Sequence, residues 1–186
     1  MRTHSSAQFE AEALPHLPAL YNFAVALAGP ADAEDLVQTA CVRALEHLDT
    51  YQPGTNIRAW LFTILRNEWV SQHRRSQRGT LVEVCAGDDA AAEIRDEAAD
   101  LEAALMDRRW SAEIKAALLA LHENHRLPVY LKDVEGFGYR AIAEIVGCPL
   151  GTVMSRLARG RAALRAALVQ QARERGLVRA GIDSDG

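Results

Sequence analysis

The sequence predicts an all-α chain of two small helical domains joined by a flexible acidic linker, with no single large core. Three observations lead there. Ala and Leu are plentiful and aromatic residues make up only 6%, a composition that favours helix. Apolar residues recur at spacings of three and four in two separate blocks. Between the blocks, residues 79–108 carry 2 basic and 9 acidic side chains, the signature of a solvated connector. The chain of 186 residues is 49% apolar, enough to bury a core.

The net charge of −4 argues, taken whole, against nucleic acid as a partner. It is an average over unlike regions. Residues 1–78 carry 7 basic and 8 acidic side chains, and residues 109–186 carry 12 basic and 8 acidic. No apolar run approaches the roughly 20 residues needed to span a bilayer. The first residues lack a basic-then-apolar leader pattern, so a cytoplasmic protein without membrane insertion is expected. Cys41, Cys85 and Cys148 are far apart and odd in number, which fits a reducing compartment. The six histidines show no ligand spacing, so neither a metal nor another cofactor is expected.

The first block opens with Leu14, Leu17, Leu20, Tyr21 and Ala24 on one helical face, stopped by Gly29-Pro30. Asp32 reads as the N-cap of a second helix, with Glu34 and Asp35 at its positive end. Its apolar side is read as Leu36, Ala40, Val42, Leu45 and Leu48. Tyr51 to Asn56 is a loop. A third helix, about 57–75, carries Leu61, Ile64 and Leu65 inward and ends in His73-Arg74-Arg75.

The second block starts at Ser111, a candidate cap for a helix with Ile114, Leu118 and Leu121 on one face. Pro128 is placed in the first turn of the next helix, which Glu135-Gly136 ends. Tyr139 to Val146 forms a short helix with Ile142, Ile145 and Val146 inward and Gly147 as its left-handed terminator. A long helix follows from about Thr152, with Val153, Leu157, Ala163 or Leu164, and Leu168 inward.

A short helix, a tight turn and a second amphipathic helix make a helix-turn-helix pattern. Between Gly151 and Arg175 there are six basic residues and one acid. Thr152, Met154, Ser155, Ala158 and Arg159 are the candidates to face base edges in a major groove. Arg140, Arg156, Arg161 and Arg165 suit phosphates, though some could instead brace acids within the module. Taken alone, a basic helix is more often a solvated face. No glycine-rich phosphate loop, metalloprotease helix or nucleophile elbow is present, so the chain is not read as an enzyme.

The residues Asp133-Val134-Glu135-Gly136-Phe137-Gly138-Tyr139, Ala141-Ile142-Ala143-Glu144-Ile145 and Gly151-Thr152-Val153-Met154-Ser155-Arg156-Leu157 resemble region 4 of an extracytoplasmic-function sigma factor of the sigma-70 family. Asp32 to Gln38, and Arg58-Ala59-Trp60-Leu61 with Asn67, resemble region 2 of the same family. The resemblance implies a promoter-specificity subunit of RNA polymerase: region 2 over 1–78, a linker over 79–108, and region 4 with a tail over 109–186. Region 4 would read the −35 element as duplex DNA and meet the flap of core polymerase. Region 2 would hold the clamp through Asp32, Asp35, Leu36, Gln38, Thr39 and Arg43. It would hold the −10 non-template strand through Thr55, Asn56, Arg58, Trp60, Arg66, Asn67, Arg74 and Arg75. Trp60 is read as more core than stacking surface, and Trp69 as either; Arg78 extends the basic edge.

The linker, by the same resemblance, would pass through polymerase toward the RNA exit path, its acids suiting a basic channel. An anti-sigma factor is an implied partner. The stretches 126–131 and 172–178 are similar to a branch paired with zinc-containing anti-sigma factors that respond to thiol stress. In that branch the redox cysteines belong to the partner, so the three here read as inert apolar positions. Two competing readings come from the residues: a free-standing dimeric helix-turn-helix regulator with half-sites one helical turn apart, and a helical module whose main partner is protein.

Overall fold

The computed structural model describes residues 6–52, 54–76 and 112–175. The expected linker, the Ser111 cap, Cys85 and Arg78 lie outside the described residues. Those described are helical or in turns. They comprise α1 (Ser6–Ala13), α2 (Leu17–Ala28), α3 (Ala33–Glu46), α4 (Ile57–Ser76), α5 (Ala112–Ala120), α6 (Glu123–Val129), α7 (Tyr139–Val146) and α8 (Leu150–Glu174).

The first predicted helix is broken. Pro15 and Pro18 each sit in the first turn of a helical segment, so a 3₁₀ turn over Leu14–His16 separates α1 from α2. Phe9, Leu20, Phe23, Ala24 and Leu27 face inward, whereas Leu14 and Tyr21 are exposed. Gly29 ends α2 at a φ of 86°, which an L side chain avoids.

Helix α3 corrects the predicted stripe. Its buried residues are Ala33, Leu36, Ala40 and Ala44, a seam of mostly small side chains against α2 and α4. Val42 and Leu45, read as inward, are 54% and 49% exposed. At 100° per residue, Val42 lies about 200° round from Ala40, on the outward side. Asp32 stands at the N-cap but its side chain takes no capping bond; only its carbonyl accepts, from the Leu36 amide at 3.1 Å. Asn56 does cap α4, its Oδ1 accepting from the Ala59 amide at 3.1 Å.

Pro128 sits inside α6 and not in its first turn. The helix starts five residues earlier, where His122 Nδ1 accepts from the Asn124 amide at 3.3 Å. Directly after Val129 the backbone widens into a π-helical segment, Tyr130–Val134. The Glu135 amide bonds the Tyr130 carbonyl at 3.1 Å across this wider turn, a rare geometry found mostly as a single turn within a helix. Helix α7 keeps its predicted bounds, and α8 begins at Leu150, two residues before the expected Thr152. Leu164 is the inward residue of the Ala163–Leu164 pair.

The described residues form two all-helical blocks as expected, and the apolar interiors of the two merge, against the expectation of no single large core. One continuous apolar cluster runs from α1 to α8. Phe23 and Phe62 from the first block meet Tyr130 and Phe137 from the second. Ring centroids are 5.6 Å apart for Phe23–Tyr130 and 5.0 Å for Phe62–Phe137. Large aromatics scarce in the composition are concentrated here because edge and face contacts bury much area per residue.

Candidate nucleic-acid interface

Helices α7 and α8 form the reading element. Gly147 ends α7 at a φ of 68°, and the amides of Gly147 and Cys148 both bond the Ala143 carbonyl, at 2.9 and 3.1 Å. This paired closure reverses the chain in two residues. Pro149 then occupies the N-cap position of α8, its carbonyl accepting from the Val153 amide at 3.1 Å, and the two axes are bent by 97° at the break. A helix-turn-helix needs about this angle to present its second helix to a groove. Ile142, Ile145 and Val146 of α7 and Val153 and Leu157 of α8 are all buried, and the two helices are in contact beneath the turn.

The start of α8 is the presented surface. Met154 is 54% exposed and Leu150 is exposed beside it, while Thr152, Ser155, Ala158 and Arg159 are partly exposed. Ser155 Oγ donates to the Thr152 carbonyl at 3.1 Å, which orients the hydroxyl along the helix. Arg140, at the start of α7, and Arg165 are exposed flanks.

Of the four arginines suited to phosphates, Arg156 is buried and Arg161 takes the alternative role of bracing an acid. Arg156 is only 7% exposed, on the inward stripe with Val153, Leu157, Gly160 and Leu164. Arg161 is held by Asp133: Nε to Oδ2 at 3.1 Å and Nη2 to Oδ1 at 2.5 Å. This two-pronged pair, with the Asp133 side chain only 2% exposed, braces α8 against the segment before α7.

Region 4 candidates thus converge on one end of α8. The first-block candidates for the opened strand do not form one free surface. Thr55 and Asn56 are exposed but serve the loop. Thr55 Oγ1 donates to the Gln52 carbonyl at 2.7 Å, Tyr51 Oη donates to the Thr55 carbonyl at 3.1 Å, and Asn56 caps α4. Arg58 turns toward the second block. Its Nη1 donates to the Glu135 carbonyl at 2.8 Å and its Nη2 to the Glu135 carboxylate. The guanidinium lies over the Phe137 ring at 4.5 Å and the Phe62 ring at 5.5 Å.

Trp60 is partly buried between Phe9 and Tyr51, at 6.0 and 5.2 Å between ring centroids. Trp69 is buried against His73 at 4.8 Å. Arg66 Nη1 donates to Asn67 Oδ1 at 3.2 Å, and a Cβ on Gly147 would meet that Nη1 at 3.4 Å. Asn67 is exposed. Arg74 and Arg75 lie in the last turn of α4, with side chains outside the described set.

On α3, Asp32, Asp35 and Gln38 are exposed, and Thr39 is partly buried with its hydroxyl bonded to the Asp35 carbonyl at 2.8 Å. Arg43 pairs with Glu46 at 2.9 Å and with Glu68 of α4 at 3.6 Å. Leu36 is 1% exposed, so it supports this surface from beneath and is corrected as a contact residue. Asp35, Gln38, Val42 and Leu45 share the outward stripe, at spacings of three, four and three. The apolar pair was missed because an α3 apolar on two sides gives no clear sequence choice of inner face.

Burial raises the Cys41 thiol pKa, which disfavours the reactive thiolate, and Cys148 is buried in the turn. Among the described residues, no three His, Cys, Asp or Glu side chains gather as a metal site, and no single helix is long and apolar enough to cross a membrane.

Comparison with known proteins agrees with this geometry. Residues 14–79 match Sigma-70 region 2, and residues 111–164 match Sigma-70, region 4. The chain is 40% identical over 156 residues to the ECF RNA polymerase sigma factor EcfG of Rhodopseudomonas palustris, covering 83% of this chain and 82% of that one. It is 35% identical to the ECF RNA polymerase sigma factor SigE of Mycolicibacterium smegmatis, covering 86% of this chain and 61% of that one. Its structure is similar to the sigma factor RpoE co-crystallised with the anti-sigma factor NepR from Bartonella quintana. That match has a TM-score of 0.64 and 35% identity, over 87% of this chain and 96% of that one. It is also similar to CnrH in complex with the cytosolic domain of CnrY, with a TM-score of 0.61 and 26% identity, over 89% and 90%. With two sigma-70 regions in order and close relatives along most of its length, the chain belongs to the ECF RNA polymerase sigma factors.

Proposed function

We propose that this sigma factor divides its contacts by element. The exposed start of α8 reads the −35 duplex in the major groove. Arg159, Thr152, Ser155, Met154 and Ala158 face the bases, and Arg140 and Arg165 flank them on phosphates. The loop before α4 and the α4 surface receive the −10 non-template strand, with Arg58, Arg66 and Asn67 as its polar contacts. The outward stripe of α3 carries the clamp contact, with Val42 and Leu45 added to Asp35 and Gln38. Region 4 meets the flap, and the acidic stretch 79–108 passes toward the RNA exit path. The protein works where polymerase and chromosome are, in the cytoplasm.

The observation that carries this reading is the 97° turn that leaves one end of an Arg-bearing helix exposed. An operator-binding regulator would share that turn, but region 2 would then be without purpose. An anti-sigma factor is the proposed antagonist, since NepR and CnrY partner the similar structures. The zinc-dependent thiol branch remains the finer form of that proposal, supported by the stretch 126–131.

Core polymerase with this chain should start promoter-specific RNA from a genomic promoter library, and core alone should not. The absence of specific starts would overturn the reading. Arg159→Ala should cost about 1–3 kcal/mol of promoter binding at one base position. An equal loss on every promoter would make Arg159 a phosphate contact. Loss of antagonist binding on zinc removal would support the thiol branch.

A further inference from the structure

Helix α1 reaches the loop between α3 and α4. The region 2 match begins at residue 14, so α1, at Ser6–Ala13, lies before it. The helix nevertheless packs on α4. Phe9 is buried and sets its ring edge-on to Trp60, with centroids 6.0 Å apart and planes at 88°. Trp60 also meets Tyr51, at 5.2 Å and 45°. Three rings thus tie α1, the start of the loop and the first turn of α4 together, and such contacts have a preferred geometry.

Tyr51 connects this cluster to the loop backbone. It is buried, and its hydroxyl donates to the Thr55 carbonyl at 3.1 Å, across the loop. The Thr55 amide and hydroxyl both donate to the Gln52 carbonyl, at 3.1 and 2.7 Å. Glu12 of α1 brings a carboxylate to the same Tyr51 hydroxyl, and its charge adds to burial in raising that phenol's pKa. A phenol has one proton to donate, so Glu12 and the Thr55 carbonyl are alternative acceptors for it. Gln52, Thr55 and Asn56 are exposed, while the rings that hold the loop are buried or half-buried. A loop discriminates between bases only when supporting contacts fix it to a fraction of an ångström.

We propose that α1 is part of the −10 reader, with Phe9 and Glu12 as positioning residues. They hold Trp60 and Tyr51, and through them hold the loop over 52–56 in the shape that selects unpaired bases. The inference rests on that loop as a strand contact, proposed above. Neither Phe9 nor Glu12 touches DNA in this account. Each acts through an aromatic side chain of the matched region.

The test uses the full chain with core polymerase and two promoter sets. One set carries every base at each −10 position, the other every base at each −35 position, and transcript yield gives the preference at each. Glu12→Gln keeps the side chain's size, and Tyr51→Phe keeps the ring. Each should narrow the preference at one or more −10 positions by about fivefold, the worth of one hydrogen bond. The −35 preferences should stay as they are. Unaltered −10 preference in both variants would overturn the role of α1. An equal loss in both promoter sets would overturn it too, since a merely structural cluster would act on the whole protein. Gln52→Ala, on the loop itself, separates the inference from the reading beneath it. A −10 effect there, with none from Glu12→Gln or Tyr51→Phe, would sink the inference alone. No effect from any of the three would mean that the loop does not read the strand, and both would fall.

Discussion

Tyr130 shows how one side chain reports the docking of two domains. Its phenol is buried, donates to Glu135 and feels that carboxylate's charge, with a smaller opposing influence from Arg58. Burial first, and Glu135 second, raise its pKa well above the usual phenol range. Tyr51 is raised in the same direction, chiefly by burial. A raised folded pKa means the fold holds the proton more tightly than the unfolded chain. The stability it reflects is fully present below about pH 10 and is lost as pH rises beyond it, for Tyr130 by about 1.4 kcal/mol per pH unit until its folded pKa is reached. Denaturant unfolding across pH 9 to 11.5 should show this fall, and Tyr130→Phe should flatten it. An unaltered slope in that variant would mean that the Tyr130 hydroxyl is hydrated in solution.

Helix α8 is set by a glycine that its pattern alone does not explain. Gly160 faces α6, and a Cβ there would lie 2.7 Å from Val129 Cγ2 and 2.9 Å from the His125 carbonyl oxygen. Two opposing effects meet at this position. Alanine favours an isolated helix by about 1 kcal/mol over glycine. Overpacking against a backbone carbonyl costs about 1–3 kcal/mol, and the carbonyl cannot swing aside as a side chain could. The clash should win. Gly160→Ala is expected to lower stability by about 1 kcal/mol, and to weaken duplex binding by tilting the reading end of α8. Thermal unfolding with a gel-shift titration checks both, and a more stable variant would mean that α8 can slide. The brace between Arg161 and Asp133 acts on the same helix one residue further on, so the tilt of α8 is held at two adjacent points.

Across the whole molecule, the decisive feature is that the two domains share a core. Interdomain surfaces that are polar and small allow independent motion, whereas an apolar one couples its halves. Phe23, Phe62, Tyr130 and Phe137 are all buried, and they join α2 and α4 to the segments around α6 and α7. Heating the free protein should therefore give one calorimetric transition, with Phe137→Ala splitting it into two. Two transitions in the unaltered chain would mean that the domains part readily in solution.

The residues whose structure depends on near neighbours were legible in advance. Gly147 was readable because a left-handed terminator is a local demand, and the bounds of α7 followed from a period that its eight residues carry themselves. The helical class and the helix-turn-helix follow from the same short-range rules. Where two local signals competed, tertiary packing chose between them. The small residues of α3 let α2 and α4 approach, so Ala40 and Ala44 went inward and Val42 and Leu45 outward. Pro128 entered the middle of α6 because His122 had already capped the helix upstream. Arginines were the least legible. Their charge is plain in the sequence, yet Arg156 is buried, Arg161 is a brace and Arg58 pairs with Glu135, each by virtue of what faces it. The sequence by itself determined the helices and the reading turn, because periodicity and capping act within a few residues. The shared core and the partners of the cations were decided by tertiary structure alone, because they depend on groups as far apart as Arg58 and Glu135, 77 positions along the chain.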